Sequence, residues 1–151
     1  HNKGATQLIF KRVNRTEAEI VFIVMQANEA GVAADDVVQL ELVAASVNGV
    51  LIVQPNTAEM QATIGIADAA IANGAFGLVQ VYGYRSTSRI LQTGTTLALG
   101  VCLGPVAGSD MLASNASIAP SFLPAFVLLE SADTVAGANS TVSKKIFIRA
   151  M

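Results

Sequence analysis

Strand-like apolar runs recur about every ten residues along this chain, with Gly, Asn or Pro between them. Residues 20–25 are β-branched and aromatic, and residues 37–43 and 76–84 alternate in a way that predicts strands with one apolar face. Short strands at this spacing are typical of sandwiches and small barrels. We therefore predict an all-β fold, either an antiparallel β-sandwich or a small β-barrel, with little helix.

Turn residues predict where some of these strands begin and end. Asn48-Gly49 separates residues 44–47 from residues 50–53, which predicts a tight two-residue hairpin with Gly49 at positive φ. Gly83 interrupts an alternating run, so we expect a bulge or a close crossing there. Further strands are predicted at residues 126–129 and 142–148, and a short helix at residues 57–62.

The composition limits the kind of surface this chain can have. Of 151 residues, 52% are hydrophobic and 13% are charged, against roughly 25% charged in an ordinary soluble domain. Apolar surface is therefore expected to remain or to be covered by partners. Two uncharged stretches, residues 90–109 and 111–129, are long enough to cross a bilayer, but their Gly, Pro, Ser, Asn and Thr content disfavours insertion, so no membrane partner is expected.

The few charges are unevenly placed. Every charge from Glu17 to Asp68 is negative, whereas the basic residues form three groups: Lys3, Lys11, Arg12 and Arg15; Arg85 and Arg89; Lys144, Lys145 and Arg149. We divide the chain into an extended basic N-terminal arm, residues 1–16, and a single β-domain, residues 17–151. The basic segment is interpreted either as an arm that docks on an oppositely charged partner or as an ordinary solvated terminus.

Catalytic and metal-binding patterns are weak. The one histidine is His1, and the one cysteine, Cys102, lies in an apolar run where we expect it in the core. A histidine-based catalytic group or a His/Cys metal site is therefore not expected, and we predict no enzyme activity, no cofactor and no metal. Net charge is −2, tryptophan is absent and aromatic residues make up 5%, which disfavours nucleic acid as a partner.

Two polar segments could carry chemistry. Asp35 and Asp36 are adjacent carboxylates, and we interpret them as solvated turn residues whose side chains point apart. Residues 86–88 form a polar segment between Arg85 and Arg89. That segment could contact an anion, although a surface tip is the simpler interpretation.

Three segments resemble a known family. Residues 64–83 combine small residues, glycines and an alternating apolar run, residues 91–100 form a glycine-containing strand pair, and residues 145–149 form a closing strand. Together they resemble the head decoration, or capsid cement, proteins of tailed phages. The resemblance implies a compact β-domain on the outside of an assembled capsid, which binds the major capsid protein, often as a homotrimer, with an N-terminal arm across neighbouring coat subunits.

The candidate site residues follow from this interpretation. Those expected to bind the capsid are the basic and apolar residues of the arm: Lys3, Leu8, Ile9, Phe10, Lys11, Arg12 and Arg15. Those expected at a trimer interface follow or flank prolines: Phe122, Leu123 and Phe126. The alternative for the second set is that these side chains cap the core.

Other functions remain open at this point. A tail tube or spike subunit would have a similar β-rich composition, and a small-ligand-binding β-barrel would suit the hydrophobicity. The expected location is the exterior of the virion, after synthesis in the host cytoplasm.

Overall fold

A computed structural model of the chain describes residues 9–12, 19–28, 31–42, 49–56, 60–92, 97–114, 126–130 and 140–150. These residues form twelve strands and one short 3₁₀-helix, Met60–Ala62. The strands are β1 (Ile9–Arg12), β2 (Ile20–Ala27), β3 (Val37–Leu40), β4 (Leu51–Val53), β5 (Thr63–Ala67), β6 (Phe76–Arg85), β7 (Arg89–Gln92), β8 (Cys102–Pro105), β9 (Leu112–Ser114), β10 (Phe126–Leu128), β11 (Ser140–Ser143) and β12 (Ile146–Arg149). The predicted all-β class is confirmed.

Five strands close into a barrel. β2 pairs with β4, β4 with β3, β3 with β5, β5 with β6, and β6 pairs back with β2. A second group of strands extends from the barrel through the β6–β12 pair, in the order β12-β10-β8-β9-β7-β11. We call this second group the outer sheet. Most pairs are antiparallel, and the described exceptions are β2–β4 and β7–β9.

Two hydrophobic cores lie on opposite sides of β3. Val38 packs with barrel residues such as Met25, Ile52 and Val79, whereas its neighbour Val37 packs with residues of the outer sheet such as Phe126. Both valines and Gln39 are buried, so β3 is covered on both faces. The predicted half-buried strand over residues 37–43 is therefore wrong, because the outer sheet covers the face that alternation assigned to solvent.

Gly83 lies at a close crossing, as predicted. Its φ is +100°, and a Cβ atom added there would lie 2.1 Å from the carbonyl oxygen of Glu19. The register between β2 and β6 also shifts between Val21 and Phe22. Tyr82 is the last residue of β6 that pairs with β2 and the first that pairs with β12, and only glycine at the next position allows the backbones to approach so closely.

The predicted Asn48-Gly49 hairpin is corrected in its register. Gly49 has the expected positive φ of 70°. However, β4 pairs with β3, with Leu40 opposite Ile52. A two-residue turn would instead place residues 44–47 opposite β4, where Ile52 already has Ala27 and Leu40 as its two neighbours. Residues 43–48 lie outside the described residues.

Three other local expectations need correction. Cys102 is exposed on β8, because alternation along that strand turns Leu103 into the core instead.

The predicted last strand, residues 142–148, is two strands, β11 and β12, interrupted where the Lys144 N–H donates to the Ser88 carbonyl oxygen. Phe126 is fully buried in the core on β10, which agrees with core capping and removes it from the predicted trimer interface.

Part of the predicted N-terminal arm belongs to the sheet. β1 pairs antiparallel with the first half of β2, and β4 pairs with Gln26 and Ala27 at its end. Since one edge of β2 must serve both partners, β1 satisfies the backbone groups that the short strand β4 does not reach. No helix of the described residues is long and apolar enough to span a membrane.

Candidate functional site

Six charged residues meet where the barrel and the outer sheet join. Asp35 and Asp36 immediately precede β3, Asp68 follows β5, and Asp110 lies before β9. Arg85 ends β6 and Arg89 begins β7, and the two arginines divide these aspartates into two groups. We call Arg85 with Asp35, Asp68, Gln80 and Thr87 the Arg85 cluster, and Arg89 with Asp36 and Asp110 the Arg89 cluster.

The Arg85 cluster is a buried guanidinium with a complete set of acceptors. Nε and Nη2 donate to Asp35 Oδ1 at 3.2 and 2.5 Å. Nη1 donates to Asp68 Oδ1 at 3.3 Å and to Gln80 Oε1 at 3.1 Å. Nη2 also donates to the Ala67 carbonyl oxygen at 3.0 Å. An arginine has five N–H donors, so none remains for a bound anion.

Neighbouring residues hold these acceptors in place. Asp35 adopts a φ of +68°, a conformation that aspartate tolerates better than most residues, and its Oδ1 also accepts a hydrogen bond from Thr87 Oγ1 at 3.2 Å. Gln80 Nε2 donates to the carbonyl oxygens of Tyr82 and Tyr84, which leaves its Oε1 facing Arg85. The Arg85 cluster therefore ties together the ends of three barrel strands.

The Arg89 cluster connects the barrel to the outer sheet. Arg89 Nη1 donates to Asp36 Oδ1 at 2.8 Å and to Asp110 Oδ2. Asp36 also accepts a hydrogen bond from the Ala33 N–H at 2.7 Å, and the Val37 N–H donates to the Asp110 carbonyl oxygen at 2.9 Å. The joint thus combines an ion pair with a backbone hydrogen bond.

Burial controls the protonation of this joint. Burial raises the pKa of Asp36, and the nearby Asp110 carboxylate raises it further, although the hydrogen bonds from Ala33 and Arg89 oppose both effects. Burial lowers the pKa of Arg89, but its hydrogen bonds with Asp36 and Asp110 and their negative charges outweigh this, so the pKa is raised. Arg89 therefore stays charged, and Asp36 is the group that responds to acid.

Two grooves lie beside the clusters. The larger, about 530 Å³, runs along the barrel wall beside the Arg85 cluster, and its lining also includes Ile20, Phe22, Tyr84 and Ser86. The smaller, about 280 Å³, lies beside Asp36 and Asp110 and is otherwise lined by residues such as Val32, Val37 and Gln54. Within the described ranges, no group of three or more His, Cys, Asp or Glu side chains could hold a metal ion.

The predicted site residues have different outcomes. Lys3, Leu8, Arg15, Phe122 and Leu123 lie outside the described residues. Ile9, Phe10, Lys11 and Arg12 form β1, with Arg12 opposite Ile20 in the register. Phe126 is the described member of the predicted trimer interface, and it lies inside the core. The structure therefore does not place it on a common surface with the predicted capsid-binding residues of β1.

Sequence reasoning missed the pairing of the aspartates with the arginines. Asp35 and Asp36 were expected as solvated turn residues, whereas they bind Arg85 and Arg89 about fifty positions further along the chain. The polar segment after Arg85 was expected as a surface tip; Ser86 and Thr87 are exposed accordingly, but Ser88 is buried. The available signal was the low charge content together with the separation of acidic from basic residues, since buried charges must pair.

Apolar side chains are exposed on the outer face of the barrel, next to the larger groove. Phe76 is 60% exposed and Leu78 is 36% exposed, both on β6. Leu78 pairs with Val24 on β2, and Phe22, two residues from Val24, lines the groove. We call the surface formed by Phe22, Val24, Phe76 and Leu78 the β2–β6 wall.

Comparison with known proteins adds no family to this geometry. No protein-family model matches the chain, and a search of curated proteins gave no significant match.

Proposed function

We propose that this chain is a non-enzymatic structural protein of a tailed-phage virion, a decoration or cement protein that binds the outer surface of the assembled capsid and stabilises it. The observation that supports this most is the exposed β2–β6 wall. Large exposed apolar surfaces usually mark interfaces, and the charged clusters beside this one have their guanidinium groups engaged in holding strand ends.

The packing of the barrel favours this proposal over a small-ligand-binding barrel. The barrel interior is filled by side chains, among them Met25, Ile52 and Val79, which are fully buried. A ligand-binding barrel needs an empty interior, whereas small barrels are commonly filled by their own side chains. The larger groove is lined by the exposed Ser86 and Thr87 and the partly exposed Asp35 and Asp68, which a partner surface can reach.

The proposed partners are the major capsid protein and two further copies of the same chain. The proposed location is the exterior of the virion, after synthesis in the host cytoplasm. No cofactor, nucleic acid or membrane has a part in this function. The tail tube or spike subunit remains the second candidate, because it would use the same β-rich architecture at another position in the particle.

Co-sedimentation with assembled capsids tests the proposal. We expect the purified chain to pellet with capsids lacking it, to saturate at a fixed ratio to coat protein, and to raise the temperature at which the shells break. Absence of saturable binding to capsids would refute the proposal, and electron microscopy that places the chain in the tail would support the second candidate instead.

The predicted arm is tested by charge reversal outside the β1 strand. We expect Lys3→Glu combined with Arg15→Glu to weaken capsid binding at low salt, with the difference disappearing in about 1 M salt, where the Debye length is roughly 3 Å. Lys145→Glu combined with Arg149→Glu, both at exposed positions in or beside β12, changes the net charge by the same amount and serves as the control. Equal weakening by the control would mean that only net charge matters.

The predicted trimer is tested by light scattering of the isolated chain. A closed three-fold ring repeats one heterologous contact without an open end. We expect a mass of three chains at micromolar concentration. A mass of one chain would limit the trimer to assembly on the capsid surface.

A further inference from the structure

We propose that the β2–β6 wall and the groove at its end form the docking surface for a partner segment of defined chemistry, an extended strand with two apolar side chains followed by a lysine or arginine. This inference rests on the proposed function and identifies the face that contacts the coat protein.

The apolar part of the surface follows the direction of β2. Val24 and Phe22 lie two residues apart on the outer face, and Val24 is opposite Leu78. Phe76, opposite Gln26, is 60% exposed. Alternate residues of a strand face the same side and are separated by roughly 7 Å. A partner strand lying along this wall would therefore place its residues i and i+2 on these side chains.

The groove continues the wall and is acidic. The Asp68 N–H donates to the Leu78 carbonyl oxygen at 2.9 Å, so Asp68 flanks the apolar surface beside Leu78, on the edge of β6 opposite β2. The Asp68 side chain is 45% exposed and that of Asp35 is 29% exposed. Phe22 lines the groove as well as belonging to the wall, which makes the two surfaces continuous.

The unused hydrogen-bonding capacity of the groove selects a cation. Two carboxylates surround one buried guanidinium, which leaves one negative charge, and Arg85 has no donor left for an anion. Among the described residues, the side-chain hydrogen bonds of Asp35 and Asp68 all use Oδ1, so Oδ2 of each can accept from a ligand. A lysine or arginine supplies donors and positive charge together, and the Phe22 and Tyr84 rings beside it add cation–π attraction.

A designed peptide tests this chemistry without capsids. The probe is acetyl-Leu-Ser-Val-Ser-Arg-amide, and the control peptide has citrulline, the neutral isostere, in place of arginine. We expect the arginine peptide to shift the backbone NMR signals of the wall and groove saturably in the millimolar range, and the citrulline peptide to bind about tenfold more weakly, which corresponds to about 1.4 kcal/mol.

Matched variants of the full chain locate the site. We expect Phe76→Ser and Asp68→Asn each to weaken the arginine peptide by about threefold or more. Leu99→Ser and Glu130→Gln, which change an exposed leucine and an exposed carboxylate elsewhere, should leave it unchanged. Asp68→Asn should also remove the preference for arginine over citrulline, which a merely structural effect would not do.

Several results would overturn the inference. Equal binding of both peptides, shifts confined to another face, or no saturable shift would remove the proposed chemistry. Saturable binding of maltoheptaose in the groove would make it a carbohydrate site, and self-association abolished by Phe76→Ser would make a second copy the occupant. None of these results bears on capsid co-sedimentation, so failure of this inference is distinguishable from failure of the proposed function.

Discussion

The Arg85 cluster and the Arg89 cluster each hold one guanidinium between two aspartates, but they bury opposite partners. In the Arg85 cluster the arginine side chain is 8% exposed and the aspartates face water. In the Arg89 cluster the arginine is 36% exposed, and Asp36 is the most buried member at 11%. Water therefore solvates the anions of the first cluster and the cation of the second.

This difference separates two uses of the same residue types. A buried arginine with five satisfied donors fixes the ends of strands within one barrel. A buried aspartate next to a second carboxylate has a raised pKa and joins the barrel to the outer sheet. The second arrangement therefore responds to acid through Asp36, whose pKa burial and the Asp110 carboxylate raise.

The largest expected effect comes from removing the buried cation. Arg85→Ala leaves Gln80 Oε1 and the Ala67 carbonyl oxygen without their donor and two carboxylates without a counter-charge. Breaking a buried pair costs about 3–5 kcal/mol, and partial exposure of the aspartates reduces this to about 2–4 kcal/mol. Urea unfolding of the wild type and the variant measures this loss of unfolding free energy.

Arg85→Lys is the informative companion variant. It keeps the charge but lacks the planar fork whose five N–H groups reach four acceptor atoms, so we expect its free energy of unfolding to lie between those of the wild type and Arg85→Ala. A loss below about 0.5 kcal/mol for Arg85→Ala would mean that the cluster does not hold the barrel together, and the comparison would fail.

An intermediate effect is expected for Arg89→Ala. Its removal leaves Asp36 facing Asp110, and we expect a loss of about 1–2 kcal/mol of unfolding free energy, since the arginine is partly exposed and screened. The loss should shrink as the pH falls, because protonation of Asp36 relieves the repulsion. Lys145→Ala, at an exposed position, should change stability by less than about 0.5 kcal/mol. A pH-independent loss would contradict the role assigned to Asp36.

The smallest effect is the pH dependence carried by Asp36 itself. Its pKa in the folded chain is raised above the ordinary value of 3.8, so between these two values the native state binds more protons than the unfolded state, and this contribution to stability grows as the pH falls. Relative to Asp36→Asn, the wild type should gain stability from pH 7 towards pH 4 and lose the gain as the pH rises again. Unfolding free energies of both proteins across this range measure it, and an opposite slope would mean that the pKa is lowered.

Much of the fold was predictable because it depends on neighbouring residues. Alternation and turn residues identified strands near β2, β6 and β10, and Gly83 marked the crossing of β6 over the start of β2. These features follow from backbone sterics and from the two-residue period of a strand. The charged joint was not predictable in this way, because Asp35 and Arg85 lie 50 positions apart and no local pattern couples them.

The sequence by itself determined that this chain is all-β, where several of its strands and turns lie, and that its few charges are divided into acidic and basic segments. The tertiary structure decided which strands close the barrel, that β3 is buried on both faces, that Cys102 faces outward and Phe126 inward, and which aspartate meets which arginine. The physical reason is that strand conformation depends on residues a few positions apart, whereas burial, register and ion pairing depend on segments that become neighbours only when the chain has folded.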